Sequence, residues 1–268
     1  MKELFVIENL SAAPVQQVLS LRLGTRHLGY AITNRTGEEL YKLGYFRTEE
    51  TDGTALAELL DHVPALKEPF YSVQVAYDFD GHSLVPSTGY RPEESGSMLK
   101  ALFGVTGNEA VIAESIAEWQ LYNVYAVPAE LLHRVQQYFP AAQSRHQFSL
   151  AIKQVLGLSD TVVMLVDFRQ DDFSVLVIRQ SRLLLAQTYP YSTPEDVLYY
   201  LLKTVEQFGL PRQDLDLQVS GLIDRDSALY KEIVQYFIRV EFRESPWQGT
   251  DHPAHYFTSL NDLARCAS

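Results

Sequence analysis

The sequence predicts an α/β protein built from two copies of a βββαβ unit. Three observations carry this. Residues 162–178, VVMLVDFRQDDFSVLVI, read as two buried strands around a tight polar turn. Residues 18–33 have the same layout, with Gly24-Thr25-Arg26-His27 as the turn. The two stretches also align along their length. Arg22 falls on Asp167, Gly24 on Arg169, Leu40 on Leu185 and Phe46 on Tyr191 at an offset of 145. Gln74-Val75 then falls on Gln218-Val219, Asp80 on Asp224 and Ser83 on Ser227 at an offset of 144. A single one-residue gap over about sixty positions is what an internal repeat leaves behind.

In chain order, residues 1–16 give no clear element. Strands are expected at 18–23, 28–33 and 40–46, with Asn34-Arg35-Thr36-Gly37 supplying the residues a hairpin turn needs. A short helix at 54–62 places Leu56, Leu59 and Leu60 on one face, and a strand returns at 71–77. Residues 91–157 form an insertion: a helix at 92–103, strands at 110–119 and 121–127, and helices at 128–138 and 148–156. The second series then runs 162–166, 174–178 and 183–189, a helix at 193–208 and a strand at 216–220. Thr193, Pro194 and Asp196 spell a capped helix start, and Gly209 and Pro211 stop it. A helix at 227–237, a strand at 240–242 and a closing helix at 256–264 complete the chain. The expected division is 1–157 for a first lobe with an α/β insertion and 158–268 for a second lobe with a C-terminal helix, the boundary falling at 157–160.

The 268 residues are 46% apolar and 21% charged, enough to bury a large core. The formal net charge of -12, without a local basic patch, argues against nucleic acid and anionic lipid as partners. One cysteine, Cys266, allows no internal disulfide and fits a reducing compartment. The first residues lack the long apolar region of a secretion signal, and no run is long enough to cross a bilayer. A cytoplasmic protein without membrane insertion is expected.

A repeated βββαβ unit with a polar turn after the first strand of each copy, together with the fragment Leu165-Val166-Asp167-Phe168, resembles the actin-like ATPase superfamily. That group includes actin, the seventy-kilodalton heat-shock chaperones, sugar kinases and the pilus-assembly protein PilM. Its lobes are ribonuclease H-like. Within it, Leu84-Val85-Pro86, 123–128 (NVYAVP) and His255-Tyr256-Phe257 are similar to an uncharacterised bacterial family of unknown function. The resemblance implies a two-lobed fold with a nucleotide cleft. It also implies an Asp-x-Gly motif at each first hairpin turn, whose carboxylate organises magnesium and whose glycine lets backbone N–H groups approach phosphate.

The residues present depart from that pattern. Arg22 stands where the first carboxylate belongs, ahead of Gly24 and Thr25. An arginine can bind phosphate but cannot hold magnesium or act as a base at neutral pH. At the second turn Asp167 is kept, but Arg169 replaces the glycine. The third motif, expected to end in paired glycines, is Ser220-Gly221 with one glycine. Arg22, Gly24, Thr25, Asp167, Arg169, Ser220 and Gly221 therefore form a candidate vestigial nucleotide cleft with no catalytic residue. ATP with magnesium is disfavoured as cofactor. The bland reading of Asp167 is an aspartate that closes a strand turn through nearby hydrogen bonds.

His252 and His255 lack a third ligand for zinc, and no Walker loop, dinucleotide fingerprint or nucleophile elbow occurs. Tyr41 and Tyr45 share a strand face by spacing, and Tyr189 and Tyr191 take the matching place. Such rings either cover half-buried sheet or mark an interface. The expected function is a non-catalytic scaffold or partner-binding protein. The alternative is a nucleotide sensor, or a weak ATPase or kinase using Asp167.

Overall fold

The computed structural model describes residues 1–9, 16–155, 162–247 and 251–267. The boundary expected at 157–160 lies outside them. The chain divides into two compact units, residues 1–153 with 260–268, and residues 154–259.

In the first unit the strands are β1 (Lys2–Glu8), β2 (Val18–Gly24), β3 (His27–Thr33) and β4 (Leu40–Arg47). Helix α1 (Gly53–His62) follows, capped by the Asp52 side chain, which accepts from the Ala55 N–H. Next come β5 (Ser72–Asp78) and β6 (His82–Pro86), α2 (Ser95–Phe103), β7 (Glu109–Ile116) and β8 (Leu121–Pro128). The run closes with α3 (Ala129–Tyr138), β9 (Gln143–His146) and α4 (Gln147–Gln154). Six strands form one sheet in the order β1-β4-β3-β2-β5-β9, and the insertion forms a three-stranded sheet, β6-β8-β7. Strand alternation sends Leu19, Leu21 and Leu23 to the core side with Leu56, Leu59 and Leu60 of α1. The opposite side is polar and small, with Ser20, Arg22 and Ala76 buried there.

The second unit contains β10 (Val162–Phe168), β11 (Asp172–Arg179), β12 (Arg182–Pro190), α5 (Pro194–Gln207), β13 (Leu215–Gly221), α6 (Ala228–Tyr236) and β14 (Arg239–Phe242). Its sheet order is β12-β11-β10-β13-β14. The capping box expected at Thr193 and Asp196 is present. The last helix, α7 (Thr258–Ala264), places Leu263 with Ala76 and Leu150 in the first unit, and Asn261 donates to the Gly37 carbonyl.

Strand order and direction agree between β4-β3-β2-β5-β9 and β12-β11-β10-β13-β14. Arg22 pairs with Gly29 and Ala76, and Asp167 pairs with Ser174 and Ser220, as the offsets of 145 and 144 require. The third strands are a correction. Leu28 faces Phe46 while Phe173 faces Tyr189, so Phe46 corresponds to Tyr189 and not to Tyr191. Leu40 likewise corresponds to Leu183, since Thr33 faces Leu40 and Ile178 faces Leu183. The cause is loop length. Six residues, 34–39, separate the paired Thr33 and Leu40, whereas four, 179–182, separate the paired Ile178 and Leu183, the turn residues Gln180 and Ser181 both being at positive φ.

Three strands escaped the sequence. β1 has a register shift between Glu3 and Phe5 that breaks its alternation. β6 and β9 have only five and four residues, and β9 is polar throughout. Tyr41 and Tyr45 do not share a face. The β3–β4 register shift at Tyr41 turns its ring into the core, while Tyr45 stacks between Phe5 and His27 on the other side.

Candidate functional site

The first hairpin turn is built around a buried charge. β2 and β3 close through Thr25-Arg26, with Gly24 opposite His27. Arg22, only 4% exposed, donates from Nε and Nη2 to Asp78 Oδ2 at 3.0 and 2.6 Å. Asp78 ends β5, directly across from Gly24. His27 Nε2 lies 3.3 Å from the same oxygen. A buried guanidinium cannot shed its proton, so a carboxylate must accompany it. Gly24 is required by its own turn: a Cβ there would fall 2.0 Å from the His27 ring. The turn's carbonyls are engaged too, Thr25 O by the Thr51 N–H and Arg26 O by the Thr48 N–H.

The second turn solves the same problem with other residues. Arg169 N–H donates to the Asp172 carbonyl, closing β10 to β11 through Gln170-Asp171. Asp167 accepts from the Ser220 hydroxyl at 2.8 Å, and Arg169 Nη1 lies 3.7 Å from its other oxygen. Arg169 is 2% exposed; its Nε donates to Asp172 Oδ1 and its Nη1 to Ser174 Oγ at 3.5 Å. The Tyr191 hydroxyl donates to the Arg169 carbonyl at 2.9 Å. Phe168 points into the unit's core, stacked on Phe173 with ring centres 5.5 Å apart. Gly221 has φ +79°, and a Cβ there would lie 2.1 Å from the Phe168 carbonyl oxygen. The Leu222 N–H donates to that same carbonyl at 2.8 Å.

Corresponding positions therefore carry opposite charge. Arg22 and Asp167 hold one strand position, and Gly24 and Arg169 the next on that face. The first unit places a cation on the strand and its anion at the end of the parallel neighbour. The second places an anion on the strand and its cation in the turn. Of the expected residues, Arg22, Gly24 and Thr25 come together at the first turn, and Asp167, Arg169, Ser220 and Gly221 at the second. Sequence reasoning missed Asp78, His27 and Asp172. A buried arginine on β2 demands a carboxylate partner, but nothing in the sequence says which one supplies it.

A separate buried polar chain lies in the first unit. His82 Nδ1 is 3.3 Å from Asn123 Oδ1, and Asn123 Nδ2 donates to Ser149 Oγ at 3.1 Å. The His82 ring packs 4.5 Å from Phe148 and 4.8 Å from His146. Its Nε2 is buried with no hydrogen-bond partner among the described residues. Burial, reinforced by His146, holds the His82 imidazole at about 3, far below its ordinary value.

Two cavities lie near these elements. One, about 870 Å³, adjoins the first turn and is lined by Arg26, Arg47, Thr48, Glu49, Glu50 and Asp52. The other, about 700 Å³, sits at the start of α6 and is lined by Asp224, Arg225, Asp226, Ser227, Glu244 and His255. His255 donates from Nε2 to the Ile223 carbonyl at 2.7 Å, and burial lowers its pKa. Among the described residues no three His, Cys, Asp or Glu side chains converge to hold a metal ion, and no helix is long and apolar enough to cross a membrane.

A family model described as "Protein of unknown function (DUF3822)" matches residues 9–240. No curated protein matches the sequence. Among solved structures, a protein of Bacteroides thetaiotaomicron VPI-5482 with actin-like ATPase fold and unknown function superposes with a TM-score of 0.77 at 18% identity, over 94% of this chain and 96% of that one. The PilM–PilN type IV pilus biogenesis complex gives 0.63 at 13% identity, over 95% and 99%. The fold is that of the actin-like ATPases.

Proposed function

The chain belongs to the family described as Protein of unknown function (DUF3822), and from that premise we propose that it is a non-catalytic, cytoplasmic protein that binds another protein as a scaffold. On this reading the two units descend from an internal duplication, and the seven residues Arg22, Gly24, Thr25, Asp167, Arg169, Ser220 and Gly221 are the vestige of a nucleotide site.

One observation carries the proposal. Both hairpin turns spend their buried charges locally, Arg22 on Asp78 and Arg169 on Asp172 and Asp167. Phosphoryl transfer needs carboxylates placed for a metal and backbone N–H groups open to phosphate. Here the faces of Gly24 and Gly221 are taken by His27 and by the Phe168 backbone. The similar PilM chain stands in a complex with PilN, which supports a protein partner for this fold.

A second reading is a nucleotide sensor, in which Arg26 and Arg47 of the cavity beside the first turn meet the ligand's phosphates against the carboxylates of Glu49, Glu50, Asp52 and Glu58. Calorimetric titration with ATP and ADP, with and without magnesium, separates the two. The scaffold reading expects no saturable heat. A Kd tighter than about 10 μM, or a clear rise in Tm with ligand, rejects it. Affinity purification of the intact chain expects a stoichiometric protein partner.

A further inference from the structure

Among the described residues the outer edge of β4 is filled and the outer edge of β12 is not. In the first unit β1 runs antiparallel along β4, from Lys2 opposite Arg47 to Glu8 opposite Lys42. In the second unit β12 holds the place of β4, with the same register to its neighbour and a register shift at the corresponding position. Among the described residues no strand lies beyond β12. An edge strand presents a row of N–H and C=O groups able to pair with another chain, and proteins blunt such edges with charged residues or proline. β12 reads RLLLAQTYP, so its only blunting residues are Arg182 and Pro190 at the two ends. Leu183 to Gln187 are half-buried along it.

Charge says what fits this edge. β12 has no carboxylate, and Arg179 and Arg182 stand opposite each other at its hairpin end, both exposed. A strand added antiparallel would bring its C-terminal end to these arginines. The first unit shows the same arrangement satisfied: Glu8, the last residue of β1, lies 3.1 Å from Lys42 near the start of β4.

We propose that β12 is a strand-addition site for an extended segment of a partner protein. The segment is about seven residues long, proline-free and mainly apolar, and it carries a carboxylate at its C-terminal end. Main-chain hydrogen bonds supply the affinity, and the arginine pair sets direction. The inference rests on the partner-binding reading above and names the surface and the kind of partner.

The probe is a blocked synthetic peptide with the β1 sequence, KELFVIE, added to the 268-residue chain. Hydrogen exchange is expected to slow across 182–190, with a Kd tighter than about 1 mM. N-methylation of alternate peptide amides should abolish binding in one phase and spare it in the other, because only every second N–H faces the edge. Arg182→Glu should weaken binding about tenfold, and lysine in place of the peptide's final glutamate should restore it.

Several results overturn the inference: no protection at 182–190 under excess peptide, equal loss from both N-methyl phases, or protection confined to β4 through exchange with β1. Self-association that protects β12 without peptide also overturns it, making a second copy the occupant. A peptide failure removes this edge alone and leaves the scaffold reading standing. Tight nucleotide binding removes the scaffold reading whatever the peptide does.

Discussion

Arg22 and Asp78 form a buried ion pair across two parallel strands, Nη2 to Oδ2 2.6 Å, beside the first hairpin turn. Asp167 occupies the matching strand position in the second unit, with Ser220 and Arg169 around it. The turns keep their geometry because each brings its own counter-charge. Removing one partner leaves the other buried without its counter-charge.

Arg22→Ala should therefore cost about 3–5 kcal/mol, the usual penalty for leaving one member of a buried pair alone. Arg22→Met combined with Asp78→Leu should recover most of that loss, because the apolar pair needs no desolvation. Urea unfolding of the single and double variants measures both. A double variant no more stable than Arg22→Ala would show that the pair is held by more than its mutual attraction.

Gly221 and Gly104 make a controlled comparison. Both have positive φ, +79° and +70°, but a Cβ at Gly221 meets the Phe168 backbone while nothing lies within 4 Å at Gly104. Gly104→Ala should cost about 1 kcal/mol, the strain of the left-handed conformation alone. Gly221→Ala should cost at least about 2 kcal/mol more, because β13 must move off β10. Similar Tm losses for the two would refute the packing argument.

His82 predicts an acid-sensitive fold. Its folded pKa of about 3 lies below the unfolded value, so the unfolded chain takes up this proton first. The contribution to stability is complete above about pH 6.5 and is lost as pH falls from there toward 3. At pH 5 the loss is about 2 kcal/mol. His82→Gln keeps a donor for Asn123 without the titration. Its stability should fall less between pH 7 and pH 5 than that of the parent, even though lost packing on Phe148 lowers it at both. Parallel pH slopes would remove His82 from the account.

The cap of α5 is the most local prediction. Thr193 accepts from the Asp196 N–H at 3.3 Å, and Asp196 accepts from the N–H groups of Ser192 and Thr193 at 2.9 Å. These bonds lower the Asp196 pKa. Thr193→Ala should cost about 1 kcal/mol and fray the first turn of α5, visible as faster amide exchange there.

The sequence by itself determined the elements whose cause is local. Short apolar runs bounded by turn residues specified β2, β3, β10 and β11, and Thr193, Pro194 and Asp196 specified the start of α5. The near-equal spacing from Arg22 to Ala76 and from Asp167 to Ser220 was legible as offsets of 145 and then 144, and Arg22 and Arg169 were legible as misfits. Only the tertiary structure decided what those misfits do. Asp78 lies 56 residues from Arg22, and no local pattern ties a strand-end aspartate to one arginine. The pairing of Phe46 with Leu28 and of Tyr189 with Phe173 was also invisible, because strand register depends on loop length and on a bulge, not on apolar content. The same holds for the edges. The strand at β12 can be read from the chain, but which strand ends a sheet, and which strand covers it, is fixed only when long-range backbone hydrogen bonds form.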